Sequence, residues 1–526
     1  MDASHDATHN KSRDVIYVDW EPQDPENPFN WSKGRKWTFT VIGVLFTGAT
    51  AWIAASFAVG IDSMESELHN LHILSLWSVG VFPLGFSMIP LLTAPLSEIY
   101  GRRWVYLISL FGFTLMMIPT ARSNNITGVI ICRFLTGAFG STGSTLVGGI
   151  LADIWMPSER GWPMAWFASS SFLFSGCGPG LMGMVAYNVG WRWIQYVQII
   201  AMGVVFIFSA VFLRETRGTI LLSRRAAKLR KETGSDRYKC KADEERVSVR
   251  LLLKTSLLRP LYFLFTEPIV TWLCVYVGFA WGNLWGFFQA IPIITRQVYG
   301  FNVAQQGLAF FSLAVGALVA MTLVPWQERK YKKNVARRGP EARLYIACLG
   351  GFIMFAGGMI ITFSEGRGHW MGPLFGIGVV TIGIFGIFSS TFAYLADSYM
   401  TYASSAIAAQ GFARNIVACV FPLFSPYMYT GLASDVRLSI QWAALLMALV
   451  AAALTVVPFI LFFYGEAIRR RSRVVQELAR EQARYEEEKL GRGVLAGRDD
   501  NNRHPATDAQ VDAEMQAVED RNHEKP

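Results

Sequence analysis

Two arginines stand where apolar side chains are expected. Arg133 lies in "ICRFLTGAFGS", a few residues into an apolar run, and Arg414 lies in "FARNIVACVFPLFSPYMY". Arg414 is about 11 residues into its run, roughly 16 Å from the start at the α-helical rise. A guanidinium inside a hydrocarbon layer is costly and faces a cavity or a partner. A third charged group is the turn "APLSEIYGRR", Ala94 to Arg103, set between two strongly apolar segments. Glu98 can accept from a helix N-terminus or pair with an arginine. Arg102 and Arg103 can clamp a carboxylate from a neighbouring element. Gly101 permits the tight turn that a Cβ would obstruct. Three further carboxylates stand at the edges of apolar runs: Asp153 in "LADIW", Asp397 in "YLADSY" and Glu267 in "TEPIV". Burial would let Glu267 carry a proton; its rival role is a fixed partner for an arginine or a helix end. These residue types hold protons and ion pairs. No HExxH, Walker loop or nucleophile elbow accompanies them, so an enzyme is the least favoured class and no cofactor is implied.

The elements that position these charges follow from composition. The 526 residues are 52% hydrophobic and only 17% charged, against about 25% charged for an ordinary soluble domain. The charges crowd into the ends, a central block and short gaps. Between them run apolar stretches of about 18 to 25 residues, long enough to cross a bilayer. The runs are continuous rather than alternating, and backbone in lipid satisfies itself as helix. Twelve spans are expected, near 37–60, 72–93, 104–121, 128–150, 163–185, 194–213, 261–284, 305–326, 343–363, 371–396, 403–428 and 438–464. The long basic gap Arg214–Pro260 divides them six and six. The expected fold is an all-α membrane protein with an N-terminal bundle over 37–213 and a C-terminal bundle over 261–465. Residues 1–36 and the end of the charged tail 466–526 read as largely disordered, and the start of the tail reads as helical.

Lysine and arginine orient the spans, because cytoplasmic loops carry the excess. "NWSKGRKW", Arg102–Arg103, the central block, "QERKYKKNVARR" and "EAIRRRSR" fall on one side for an even count. The opposite gaps, such as "RSNNIT" and "LASDVR", hold few basic residues. Both termini and the connector are therefore placed in the cytoplasm. The formal charge of +9 then reflects orientation and anionic inner-leaflet lipid rather than nucleic acid. Five of the six cysteines lie inside apolar runs and read as packing residues. The sequon at Asn125 sits in a short outer loop and is expected to be unmodified.

Two six-span halves joined by a connector suit a transporter whose halves rock about a site between them. The charged turn would latch that rocking, with Asp153 pairing with Arg102 or Arg103 and Asp397 as its second-half analogue. Aromatic residues make up 14% of the chain. Among them Trp281, Trp285, Phe388 and Tyr394 could line a cavity, with Asn283, Gln289 and Gln410 supplying hydrogen bonds, an environment for a bulky, partly apolar solute. Packing and interfacial belts are the competing explanation for any single one. In "SGCGPGLMG", Gly178 to Gly183 matches G-x-G-x-x-G formally, but no strand precedes it. Its small residues instead permit close helix approach, and Pro179 a kink.

The turn "APLSEIYGRR" resembles the second-to-third-loop signature of the major facilitator superfamily, in the variant of fungal twelve-span drug–proton antiporters. The positions are Ala94, Leu96, Glu98, Gly101, Arg102 and Arg103, with Ala and Glu departing from the usual Gly and Asp. "ICRFLTGAFGS" resembles the fourth-span motif, and "SGCGPGLMG" the fifth-span antiporter motif through Gly178, Pro179 and Gly183. "DPENPFNWSKGRKW" looks like the cytoplasmic lead-in of the same branch. The resemblance implies that Arg133 controls a proton-binding carboxylate; a snorkelling or structurally paired arginine is the alternative. Arg414 is either paired within the cavity or in contact with substrate. Arg133, Glu267 and Arg414 form the expected proton-coupling set.

The resemblance implies proton-driven export of drug-like xenobiotics or secondary metabolites. The plasma membrane is the default location, with the vacuolar membrane as an alternative, and the protein is read as a monomer. The competing function is proton-coupled uptake of a small solute such as a polyamine or organic anion.

Overall fold

The computed structural model of the chain describes residues 16–476 except 22, 157–158, 235–236, 241–248, 367, 473 and 475. Expectations for residues 1–15 and for the tail beyond 476 lie outside the described residues. Met1–Glu466 is one compact unit and Ala467–Pro526 another.

Span 1 is Lys33–Ser56, span 2 the pair His72–Met88 and Pro90–Tyr100, span 3 Arg102–Arg122, span 4 Ile126–Ile154, span 5 Gly161–Val189 and span 6 Trp191–Phe212. Span 7 is Pro268–Gln297, span 8 Val303–Ala309 with Phe311–Arg338, and span 9 Tyr345–Ser364. Span 10 is Met371–Tyr399, span 11 Ala403–Gly431 and span 12 Val436–Leu454 with Val456–Arg471. Ten of these, among the described residues, are long and apolar enough to cross a membrane, and span 2, bent by 42° at its break, makes eleven. Span 5 is as long as spans 4 and 11, at 29 residues. The Ser and Gly of "ASSSFLFSGCGPG" lower its hydropathy, and it packs among the others as the twelfth.

The packing repeats. Span 1 lies on span 5, span 2 on span 4, and span 3 on spans 4 and 6. In the second half span 7 lies on span 11, span 8 on span 10, and span 9 on spans 10 and 12. Shifting every number by six maps the first set onto the second. The contacts between halves obey the same rule, span 2 against span 11 and span 8 against span 5. Alternation puts the starts of odd spans and the ends of even spans at one end, hereafter the basic end.

Small residues bring these helices backbone to backbone. A Cβ on Gly137 would fall 2.1 Å from the Phe82 carbonyl oxygen, between spans 4 and 2. A Cβ on Gly80 would fall 2.7 Å from the Cys419 carbonyl oxygen, between spans 2 and 11. Lipid gives no hydrophobic drive for helix association, so such close van der Waals approach carries the packing.

Span 7 departs from expectation. A single helix from 261 is interrupted at Glu267, whose φ of −100° and ψ of 105° are extended. Pro268 causes the break, because its ring disfavours a helical residue before it. The span proper runs on to Gln297. The lead-in also carries more order than its composition suggests. Ile16–Tyr17 pairs in parallel with Tyr238–Lys239, and Asp24 forms an ion pair with Arg225 on the connector helix Gly218–Thr233. The Glu26 backbone N–H and the Arg225 guanidinium hold the Asp24 carboxyl below its ordinary range. Lys36 Nζ then donates to the Phe29 carbonyl at 2.8 Å.

Candidate functional site

The turn at Gly101 is built around a residue outside the expected set. Gly101 has φ +96° and precedes the first turn of span 3. The Glu215 carboxylate, just after span 6, accepts the Arg102 backbone N–H at 2.9 Å and the Arg103 N–H at 3.3 Å. It also accepts the N–H groups of Thr216 and Arg217, each at 3.0 Å. The first N–H groups of a helix lack intrahelical acceptors and carry partial positive charge, so a carboxylate is the fitting cap. A Cβ on Gly101 would lie 2.2 Å from Glu215 Oε2.

Around this cap the Arg102 guanidinium donates through Nε to Asp153 at 3.2 Å and through Nη1 to Ser97 Oγ at 2.9 Å. Arg217 completes the cluster at 3.6 Å from Asp153 and 4.0 Å from the half-exposed Glu98. Arg103 plays a different part from the one expected. Its guanidinium reaches the Ala210 carbonyl at 3.4 Å and forms no ion pair among the described residues. The second half repeats the bond: Arg343 donates through Nε to Asp397 at 2.8 Å and through Nη1 to Glu328 at 2.6 Å. The partners are separated by 51 residues in the first half and 54 in the second.

All of these bonds join elements of the same half. The expected pairing of Asp153 with Arg102 is present, and these bonds tie each half together internally. An ion pair that does cross the halves, Asp62 with Arg296, stands at the opposite end.

In the middle of the bundle Arg133 is 1% exposed. Its Nε donates to the Ser78 carbonyl at 3.2 Å and its Nη1 to the Ile53 carbonyl at 3.4 Å. The Phe57 and Phe82 rings lie 4.2 and 4.7 Å from its Cζ. Nη2 has no hydrogen-bond partner. Arg133 thus ties spans 1, 2 and 4 through carbonyls and rings, with no carboxylate. Arg414 lies 4.6 Å from the Trp281 ring and 4.7 Å from Phe388. Its Nε and Nη1 are buried without hydrogen-bond partners, and it makes no ion pair among the described residues. A paired role for Arg414 is not what the structure has.

The expected aromatic lining is brought together in part. Trp281 and Phe388 are 5.5 Å apart, and Phe172 of span 5 meets Trp281 at 5.4 Å, Phe385 at 5.3 Å and Phe388 at 6.2 Å. Phe172 joins the halves at this point and was not anticipated; nothing distinguishes it among 37 phenylalanines. Trp285 meets Phe82 of span 2 at 6.3 Å, a second bridge between halves. Gln289 and Gln410 are buried, each with an unpartnered Nε2. Tyr394 is fully buried in span 10. Asn283 is turned away and lines a small cavity inside the second half with Met354, Ile361 and Tyr429. Glu267 is buried at the start of span 7, where the Tyr399 hydroxyl donates to it at 3.1 Å.

The fifth-span glycines face the first span and the other half. A Cβ on Gly178 would meet the Trp52 ring at 2.2 Å, and one on Gly183 the Gly307 Cα at 2.9 Å. Gly307 in turn lies against the Pro179 carbonyl, 2.5 Å from where its Cβ would be. Spans 5 and 8 therefore touch by backbone along this motif.

The sequence held signals for two of the missed charges. Glu215 stands two residues after an apolar run in "LRETRG", and Arg343 precedes the ninth run as Arg102 begins the third.

The profile of the Major Facilitator Superfamily matches residues 40–422. The transporter paaT of Penicillium rubens is 35% identical over 468 residues, covering 88% of this chain and 84% of its own. The MFS-type efflux pump MFS2 of Trichophyton rubrum is 34% identical, covering 88% and 78%. Polyamine transporter 3 of Saccharomyces cerevisiae is 32% identical, covering 87% and 73%. The peptide transporter POT in complex with sulfate superposes with a TM-score of 0.59 at 12% identity, over 84% of this chain and 96% of that one. The sixfold shift in helix packing, the paired arginine–aspartate bonds and the profile match over most of the chain agree, and the chain belongs to the major facilitator superfamily.

Proposed function

We propose that the protein is a proton-coupled secondary transporter that exports organic solutes, drug-like xenobiotics or secondary metabolites. One observation carries the reading. Phe172 of one half packs against Trp281, Phe385 and Phe388 of the other, so a solute bound there touches both halves. Rocking the halves exposes such a site alternately to the two sides. The relatives named for efflux and multidrug transport favour the outward direction.

In this reading the N-terminal bundle is 37–213, the connector 214–260 and the C-terminal bundle 261–465, with the basic end and both termini in the cytoplasm. The protein is then a plasma-membrane monomer in which Arg133 and Glu267 act in proton coupling, and in which the turn at Gly101 and the Asp153 and Asp397 bonds brace each half during rocking. Uptake of a polyamine is the second reading, favoured by one relative's name. Two buried guanidinium groups in the middle of the bundle oppose a polycation.

The test is transport in everted vesicles from overexpressing and deletion strains. Solutes tolerated less well by the deletion strain are expected to accumulate in the lumen when it is acidified. Accumulation that ignores the imposed proton gradient would refute the coupling.

A further inference from the structure

We propose that Arg414, with Gln410 and Trp281, forms a subsite for the oxyanion, most simply the carboxylate, of a flat organic solute. The inference rests on reading the aromatic interface as the solute site, and it is independent of transport direction.

The subsite is a set of donors without acceptors. Arg414 buries Nε and Nη1 with no hydrogen-bond partner. Gln410 lies one helical turn earlier on the same face of span 11, is 1% exposed, and has an unpartnered Nε2. The Trp281 indole, whose ring lies against the Arg414 guanidinium, has an unpartnered Nε1. An indole and a guanidinium can only donate, and an ionised carboxylate can only accept. Charge-assisted bonds between the last two are the strong ones.

Charge balance points the same way. The carboxylates that belong to spans stand toward their basic ends, as do Glu98, Asp153, Glu328, Asp397 and Glu466, or cap them, as Glu267 does. Between those ends the spans contribute Arg133 and Arg414 and no Asp or Glu. A buried charge left without a counter-charge is strongly destabilising. Arg133 has two carbonyls to donate to; Arg414 has rings but no acceptor. A solute carboxylate supplies the missing charge, and Phe172, Phe385 and Phe388 supply flat apolar walls for its body. A cation placed there would be repelled.

The test uses three probes with one ring system and three charges: 2-naphthoate, 2-naphthamide and 2-naphthylmethylammonium. Each is titrated at pH 7.5 against the full chain in lipid nanodiscs. Naphthoate is expected to bind at least tenfold more tightly than the amide, and the ammonium most weakly. Arg414→Gln should reduce naphthoate to the level of the amide while leaving the amide unchanged, and Arg414→Lys should keep part of the preference. If Arg414→Gln does not fold, Gln410→Ala reads the same contact, with naphthoate weakened about threefold and the amide unmoved. Equal binding of anion and amide, tighter binding of the ammonium, or selectivity that survives Arg414→Gln would overturn the subsite. No binding of any of the three would instead overturn the aromatic interface as the solute site, and the subsite with it.

Discussion

Glu215 accepts the backbone N–H of Arg102 at 2.9 Å, from 113 residues further along the chain. That bond seats a carboxylate from the end of span 6 on the first turn of span 3 and leaves no room for a side chain at position 101. Gly101→Ala is therefore expected to cost more than Gly190→Ala. Both glycines have positive φ, +96° and +88°, and both precede a span, but a Cβ on Gly190 meets nothing within 4 Å. Strain at φ is common to the two, of order 1–3 kcal/mol, so the difference isolates the clash with Glu215. Thermal unfolding in detergent measures it. Glu215→Ala, which removes the cap, is expected to lower stability by about 1–2 kcal/mol.

The span 5–span 8 contact predicts a functional rather than merely structural sensitivity. A Cβ on Gly176 would fall 2.4 Å from the Ala314 backbone nitrogen, and backbone cannot yield as a side chain can. Gly176→Val should abolish solute tolerance in a growth assay while the protein still reaches the membrane. Gly203→Val in span 6, where a Cβ has open space, should leave tolerance unchanged.

Arg133 donates to two carbonyls on different helices from one planar fork. A lysine carries the charge without the fork. Arg133→Lys and Arg133→Gln are both expected to lower transport tenfold or more, with no rescue by lysine. Rescue by lysine in vesicle transport would show that charge alone matters there.

Glu365, just beyond span 9, is fully buried with neither carboxylate oxygen hydrogen-bonded. Burial pushes its carboxyl up to about 7, with the Arg437 charge opposing. The folded protein therefore holds a proton that the unfolded chain releases above 4.5. Stability from this group falls as pH rises between those values and levels off above about 7, a span worth roughly 3 kcal/mol at most. Glu365→Gln should raise the apparent Tm at pH 8 and leave it nearly unchanged at pH 5.

Much of this architecture is legible in sequence because lipid imposes a strict rule: a long apolar run must be a helix. Eleven of the twelve spans start within four residues of their expected places, although spans 2, 8 and 12 run on past their expected ends. The seventh starts later because Pro268, inside an apolar stretch, breaks the helix at Glu267. The charged turn and Asp153 were visible as types, and the Arg102–Asp153 bond follows from them. What sequence could not convey was direction. Asn283 and Trp281 are two residues apart, and the helix turns them to opposite faces. Phe172 matters only through what it touches. For Arg414 the sequence leaves a paired role and a substrate contact open, and only the arrangement of side chains reveals that it has no ion-pair partner among the described residues.

A pivot of the two halves about their shared aromatic site changes the distances between them at its two ends in opposite senses. Electron–electron resonance distances measure it directly, in a chain with its six cysteines replaced by serine. Labels at Asp62→Cys and Arg296→Cys report the opposite end, where that ion pair joins the halves. Labels at Tyr100→Cys and Leu258→Cys report the basic end, where Pro90–Tyr100 packs on Val249–Thr266. Between pH 5.5 and pH 8 reciprocal change is expected, one pair separating as the other closes. Two distributions that stay fixed, or that widen together, would contradict it.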